Sequence, residues 1–281
     1  MVTYYDVCSA ARSALREAGI EAYTQEARML TAFAAGKTVS ELLRDYNLYT
    51  NTMDRTMELV RRRASGEPAA YIIGAWEFYG LPFIVTPGVL IPRIDTEPLV
   101  EAALGLIHEG DRVLDLCCGT GCIGITAAKK IPGAHIVCAD VSDAALKIAR
   151  RNAALNEAHV VCVSADALAA PPVTLGKFDF ILCNPPYIAT AELAGLDPSV
   201  RDYEPHLALD GGEDGLKFYR SVCTLWRAAL TEGGRLIFEC GEGQAAQVRA
   251  AAEAAGFRYD GSVFDTGNIE RVLLFTLHEE V

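Results

Sequence analysis

From residue 112 onward, short apolar runs alternate with amphipathic segments, and no other feature of the chain limits its possible folds as strongly. Residues 112–116, 136–140, 160–163, 178–183, 235–240, 259–264 and 272–277 read as strands. Residues 122–130, 142–155, 216–230 and 243–255 read as helices. The run Phe178-Asp179-Phe180-Ile181-Leu182-Cys183 is apolar almost throughout, as a buried parallel strand requires. Strands alternating with helices predict an α/β architecture, a mostly parallel sheet covered on both faces. The last two strands have no helix between them, so at least one should run antiparallel.

The N-terminal residues follow a different rhythm. Val7, Ala10, Ala11, Ala14, Leu15 and Ala18 recur at helical spacing, and Gly19 ends the segment. Ala27, Leu30 and Ala34, then Leu42, Leu43 and Tyr46, continue the pattern, with Thr38 or Ser40 placed to cap a helix. Met53, Met57, Val60 and Ala64 make a further stripe, and Arg61-Arg62-Arg63 reads as its solvated face. Between Pro68 and Ile94, aromatic and aliphatic residues alternate with Gly74, Gly80, Pro82, Pro87 and Gly88, which predicts a β-hairpin. Asp95 or Thr96 can then cap a helix with Pro98 in its first turn. The expected division is a helical domain over 1–67, a hairpin linker over 68–94 and an α/β domain over 95–281.

With 51% of residues hydrophobic and 22% charged, the 281-residue chain can bury a sizeable core, which excludes bulk disorder. Met1 to Ala10 lacks the apolar stretch of a signal peptide, and no run approaches the roughly 18 apolar residues of a membrane span. The nine cysteines are odd in number and form no C-x-x-C pair, so they read as reduced thiols of a cytoplasmic protein. Residues 1–67 balance nine bases against nine acids, leaving the whole net charge of −12 on residues 68–281. Such a surface repels phosphate backbones and attracts basic partners.

Two motifs lie at predicted strand ends, where open α/β sheets bind ligands. Asn184-Pro185-Pro186-Tyr187 follows the strand 178–183. The prolines cannot donate from nitrogen, so the Asn184 oxygen and the Pro185 carbonyl are acceptors beside the flat face of Tyr187. That set suits a planar group bearing an NH2, either a carboxamide or a nucleobase amine. Residues 115–121 form a strand end and a glycine turn, with Gly119 and Gly121 opening the backbone to a ligand. Asp140 can accept the ribose hydroxyls of an adenosine, and Asp166 its amino group. Cys117 replaces the first glycine of the Asp-x-Gly-x-Gly-x-Gly pattern, so it should adopt a conformation open to ordinary residues, or the turn is altered. A pyrophosphate would miss backbone approach there. S-adenosylmethionine carries a sulfonium and no phosphate, and fits the acids better.

With these motifs in view, the chain resembles the bacterial glutamine methyltransferases that modify class I peptide chain release factors. The likeness rests on residues 67–74, Ile91-Pro92-Arg93-Ile94-Asp95-Thr96-Glu97, the turn 115–121, Asn184–Tyr187 by position and type, Glu204-Pro205, and Asn268-Ile269-Glu270-Arg271-Val272. It implies a seven-stranded Rossmann-like class I methyltransferase domain, an N-terminal helical bundle and a β-hairpin linker. It implies Asn184, Pro185 and Tyr187 as catalytic residues, with Pro186, Arg93 and Glu97 also meeting substrate. S-adenosylmethionine would be held by Asp115, Cys117, Cys118, Gly119, Thr120, Gly121, Asp140, Val141, Asp166, Ala167 and Asn184, with no metal. The implied partner is a release factor, methylated at the glutamine of its Gly-Gly-Gln loop by a monomeric enzyme without nucleic acid or membrane. Alternatives are a glutamine of a large-subunit ribosomal protein, an adenine or cytosine amino group, and a non-catalytic adenosyl-binding module. A metal or redox site among Cys117, Cys118, Cys122, Cys138, Cys162, Cys183 and Cys240 is a further reading, weakened by the lack of zinc-type spacing.

Overall fold

The computed structural model describes residues 2–278. They form two compact units: the chain up to Ala75 with Asp197–Tyr203, and Trp76–Leu196 with the chain from Glu204 onward.

The first unit is helical: β1 (Val2–Thr3), α1 (Tyr4–Glu17), α2 (Tyr23–Ala35), α3 (Val39–Arg44), β2 (Tyr49–Thr50), α4 (Met53–Ala64) and α5 (Ala69–Ile73). Thr3 and Thr38 cap α1 and α3 in reciprocal boxes with Asp6 and Glu41, so Thr38 rather than Ser40 starts the third helix. Leu15, Leu30, Leu59, Val60 and Ile72 close one core. The stripe expected on α4 is shifted: Thr56, Leu59 and Val60 are buried and Ala64 is exposed. Leu43 is exposed as well. The arginine run is not uniformly solvated, since the Arg63 side chain is only 12% exposed and pairs with Glu26 at 2.6 Å. Residues 69–73 are helical, not part of a hairpin, because Ala69–Ile73 turns apolar side chains into this core.

The second unit opens with a hairpin shorter than expected, β3 (Ala75–Phe78) and β4 (Leu81–Ile84). Its two-residue turn holds Tyr79 and Gly80 at φ 52° and 73°, the positive angles that match strand twist. Residues 85–93 form no helix or strand. Then come α6 (Glu97–Leu104), β5 (Arg112–Leu116), α7 (Cys122–Lys130), β6 (His135–Asp140), α8 (Asp143–Leu155), β7 (Val160–Ser164) and β8 (Phe178–Cys183). The segment Asp197–Tyr203, with the single turn α9 (Pro198–Arg201), belongs to the helical unit, where the Tyr203 hydroxyl donates to the Ser65 carbonyl at 3.3 Å. The chain resumes with α10 (Lys217–Leu225), β9 (Leu230–Glu239), α11 (Ala245–Ala254), β10 (Phe257–Phe264) and β11 (Glu270–Leu277). The helical stretch expected over 216–230 is α-helical to Leu225 and continues as a 3-10 turn over Trp226–Ala229, and the following strand begins at Leu230, earlier than expected.

Seven strands make one sheet in the order β10-β11-β9-β8-β5-β6-β7. Pairs from β9 to β7 are parallel, and β11 runs antiparallel to both β9 and β10. Side chains alternate between two cores: Leu114 and Ile181 pack with Trp226 and Phe238, while Val113, Phe180 and Leu182 face Leu99 and Ile125. Both faces are thus covered, as parallel pairing demands. Among the described residues no helix is long and apolar enough to cross a membrane.

Candidate active site

The chain winds from β5 outward through β6 to β7, then returns to place β8 on the other side of β5. That reversal is the switch point at which open sheets form a crevice beyond their strand ends. Leu116 and Cys183 are register partners, so the turn after β5 and the tetrad after β8 emerge side by side although 67 residues separate Leu116 from Cys183. Along this edge the strands end in Glu239, Cys183-Asn184, Leu116-Cys117 and Asp140, with Asp166 just past β7.

A cavity of about 240 Å³ opens there. Cys117, Cys118, Gly119 and Thr120 line it from the glycine turn, and Asp140, Val141, Asp166 and Ala167 from the next two strand ends. Asn184, Pro186 and Arg93 also line it. Five expected residues lie outside it. Asp115 is fully buried beneath the turn, where Oδ2 accepts the Gly124 amide at 2.8 Å. Gly121 serves geometry: at φ 78° a Cβ would stand 2.9 Å from Ile125 and 3.2 Å from Ala149. Glu97 is turned to the hairpin, its Oε1 accepting from Tyr79 N at 2.8 Å. Pro185 and Tyr187 sit beside the cavity rather than among its lining residues.

The turn keeps a glycine-like backbone conformation at its cysteine. Cys117 takes φ 63°, the left-handed conformation that a glycine would hold, so the expectation of an ordinary conformation is overturned. Its amides are largely satisfied within the fold: Gly119 N donates to Asp140 Oδ2 at 2.8 Å, Cys118 N to Ala139 O at 3.0 Å and Gly121 N to Cys118 O at 2.7 Å. The turn thus offers a carboxylate edge instead of bare N–H groups. Burial raises the Asp140 pKa, opposed by amide bonds from Ser142, Gly119 and Val141. This acceptor set suits ribose hydroxyls and a sulfonium, and disfavours a pyrophosphate.

The tetrad is clamped from behind. Gln244 accepts from Gly241 N at 3.0 Å and donates to the Tyr187 carbonyl at 2.8 Å. Ile188 bridges Asp210, and the Thr190 hydroxyl donates to Asp210 Oδ1 at 2.7 Å, which pins the loop 207–215 alongside. Leu207 and Ala208 at its start form part of the cavity wall. Burial pushes the Tyr187 phenol up to about 12 and the thiols of Cys122 and Cys183 upward, so none of these three is poised as a base. All nine cysteines are unpaired, and no group of three or more metal-ligating side chains occurs among the described residues.

Several supporting groups were not anticipated. The Thr96 hydroxyl does not cap α6; it accepts from Asn184 Nδ2 at 3.2 Å. Buried Glu204 accepts from Ile91 N at 3.1 Å and pairs with Arg93. Asn152 on α8 joins β4 to the glycine turn through Ile84 and the Thr120 carbonyl. Glu239 is an acid closing an apolar strand, the same signal that singled out Asp115 and Asp140.

This strand order, with its acid-rimmed crevice at the switch point, defines an S-adenosylmethionine-dependent class I methyltransferase. Residues 94–196 match the "Methyltransferase small domain" family and residues 6–74 the "PrmC N-terminal domain" family. The fold is shared with a Pyrococcus furiosus methyltransferase, 16% identical, covering 80% of this chain and 99% of that one at a TM-score of 0.52. It is also shared with a putative methyltransferase solved with SAH, 13% identical, covering 83% and 68% at 0.53. The release factor glutamine methyltransferase of Geobacter sulfurreducens is 40% identical over 93% of this chain and 92% of its own. That of Clostridium acetobutylicum is 36% identical over 96% of each. The chain belongs to the release factor glutamine methyltransferase family.

Proposed function

We propose that this enzyme methylates the side-chain amide nitrogen of the glutamine in the Gly-Gly-Gln loop of class I peptide chain release factors. One observation carries the reading: the Asn184 carboxamide lines the cavity with its nitrogen turned inward to Thr96. Its oxygen is thereby left to accept from a donor in the cavity. A glutamine amide presents two coplanar N–H groups, which Asn184 Oδ1 and the Pro185 carbonyl accept while the Tyr187 ring stacks on the amide plane.

An amide nitrogen is a poor nucleophile because its lone pair is delocalised into the carbonyl. Holding both hydrogens aims what lone-pair density remains along one line, and orientation of this kind is worth roughly 7–11 kcal/mol in favourable cases. Bound S-adenosylmethionine would supply a sulfonium methyl that needs no further activation, leaving as S-adenosylhomocysteine while the amide nitrogen gives up one proton after transfer. Asp140 and Asp166 fix its adenosine, and Cys117 to Thr120 with Val141 and Ala167 form the walls. Asp115 and Gly121 keep the turn in shape, and Arg93, tied to Glu204, orders the cavity rim. Gln244 keeps the tetrad rigid, so the acceptors need no reorganisation. The proposed enzyme is a monomer working in the cytoplasm beside its substrate.

The test is incubation with isotopically labelled methyl donor and an unmethylated release factor, followed by mapping of the labelled peptide. Label on the Gly-Gly-Gln glutamine is expected. Label on a ribosomal-protein glutamine or a nucleobase instead, or on neither, would overturn the reading.

A further inference from the structure

Glu239 ends β9 one residue past the register pair Cys183 and Phe238, which sets it directly beside Asn184. It is 1% exposed, and its Oε2 is buried without a hydrogen-bond partner. The Tyr219 hydroxyl holds the Glu239 carbonyl at 2.9 Å, fixing the strand end. The carboxyl group faces the Thr96 hydroxyl and the Asn184 side chain. Thr96 is itself 2% exposed and accepts from Asn184 Nδ2.

We propose that Glu239 is a positioning residue for methyl transfer: directly and through Thr96 it makes the Asn184 carboxamide present its oxygen, not its nitrogen, to the substrate amide. An ionised carboxylate only accepts. The Thr96 hydroxyl must therefore donate toward Glu239 and has a lone pair to offer Asn184, which only Nδ2 can use. Asn184 Nδ2 therefore finds acceptors in Thr96 and in Glu239 itself, which leaves Oδ1 pointing to the cavity. Without the carboxylate the hydroxyl can turn round, the amide can flip, and two N–H groups would then face two N–H groups. This rests on the glutamine reading above.

The acid also responds to pH. Burial raises it to about 7, opposed by the bonds from Thr96 and Asn184 and by the Arg271 charge on β11. Asp95 before α6 acts in the same direction as burial. The other ionisable groups facing it are Cys122 on α7, Tyr187 after β8, Tyr219 on α10 and the adjoining Cys240. Transfer should accordingly weaken as pH falls through about 7 and Glu239 becomes a donor.

Two measurements test this. In Glu239→Gln, kcat on a release factor should fall about 10–100-fold, as for other supporting partners of reacting groups. KM and the affinity for S-adenosylhomocysteine should stay within about threefold, and the limb of the kcat profile near pH 7 should vanish. Thr96→Val should behave likewise, and Thr96→Ser should restore near-normal kcat. The second measurement needs no substrate. With asparagine labelled in its side-chain nitrogen, the Asn184 carboxamide resonance, assigned by its loss in Asn184→Ala, should shift in Glu239→Gln and Thr96→Val but not in Thr96→Ser. An unmoved resonance in both of the first two variants, or a Glu239→Gln enzyme with wild-type kcat and pH profile, overturns the proposal. A wild-type enzyme inactive on release factor, with the resonance shifting as described, would overturn only the substrate assignment.

Discussion

Cys117 holds φ 63° at the point where β5 gives way to the glycine turn, a conformation that costs a non-glycine residue about 1–2 kcal/mol. Cysteine bears it because its one γ-atom is small and its thiol meets Cys183. A β-branched side chain would crowd the same backbone. Cys117→Val is therefore expected to lower stability by about 2 kcal/mol in denaturant titrations, whereas Cys117→Gly should stay within about 1 kcal/mol of the parent. The sequence pattern flagged the position but could not say whether backbone or side chain would yield. Asn184 makes the complementary prediction at the chemical end. Asn184→Ala should cut kcat by about 10²–10³-fold, the usual effect of deleting one preorganised partner. Its affinity for S-adenosylhomocysteine, read by calorimetry, should remain within a few-fold. Equal losses in both would show that Asn184 mainly holds the cofactor.

One residue before its end, strand β5 carries an acid that the cavity never sees. Asp115 is fully buried, one oxygen on Gly124 N and the other without a partner, and burial raises its pKa from 3.8 to about 7. The folded state thus keeps a proton that the unfolded chain sheds near 3.8, so this stabilising contribution is complete below that pH and is lost as pH rises to about 7. Asp6, Glu41, Asp197, Asp210 and Asp265 have lowered pKa values and are ionised throughout that upper range. Asp115→Asn should therefore raise Tm more at pH 7.5 than at pH 5.5, by about 2–4 °C for each 1 kcal/mol relieved. A pH-independent change in Tm would contradict the assignment. At this scale the alternation of apolar runs located every strand of the large sheet. It missed α5 because five apolar residues before a glycine read equally well as a strand, and only the partners Leu30 and Leu59 decide between them.

Across the whole molecule the charge is segregated, with the net −12 carried beyond residue 67. The proposed substrate, a release-factor domain that works against RNA, is expected to carry basic surface that the acidic unit should draw in. KM for release factor is expected to rise several-fold between about 50 and 300 mM salt as screening shortens to below 10 Å, with kcat nearly constant. A KM flat over that range would remove charge from the account of substrate capture.

Fold class, sheet direction and the two motif-bearing strand ends could be read from the chain alone, because apolar periodicity and chain punctuation are local properties. So could Asp140, Asp166 and the tetrad, each of which lies where a strand pattern stops. The inward turn of Asn184 toward Thr96, the diversion of Glu97 to Tyr79, and the roles of Glu204 and Gln244 had no local mark, while Glu239 was marked as an acid closing a strand but not by its partners. Each depends on a partner at least 18 residues away. Such partners are brought together only when β8 returns beside β5 and the buried polar atoms must find one another.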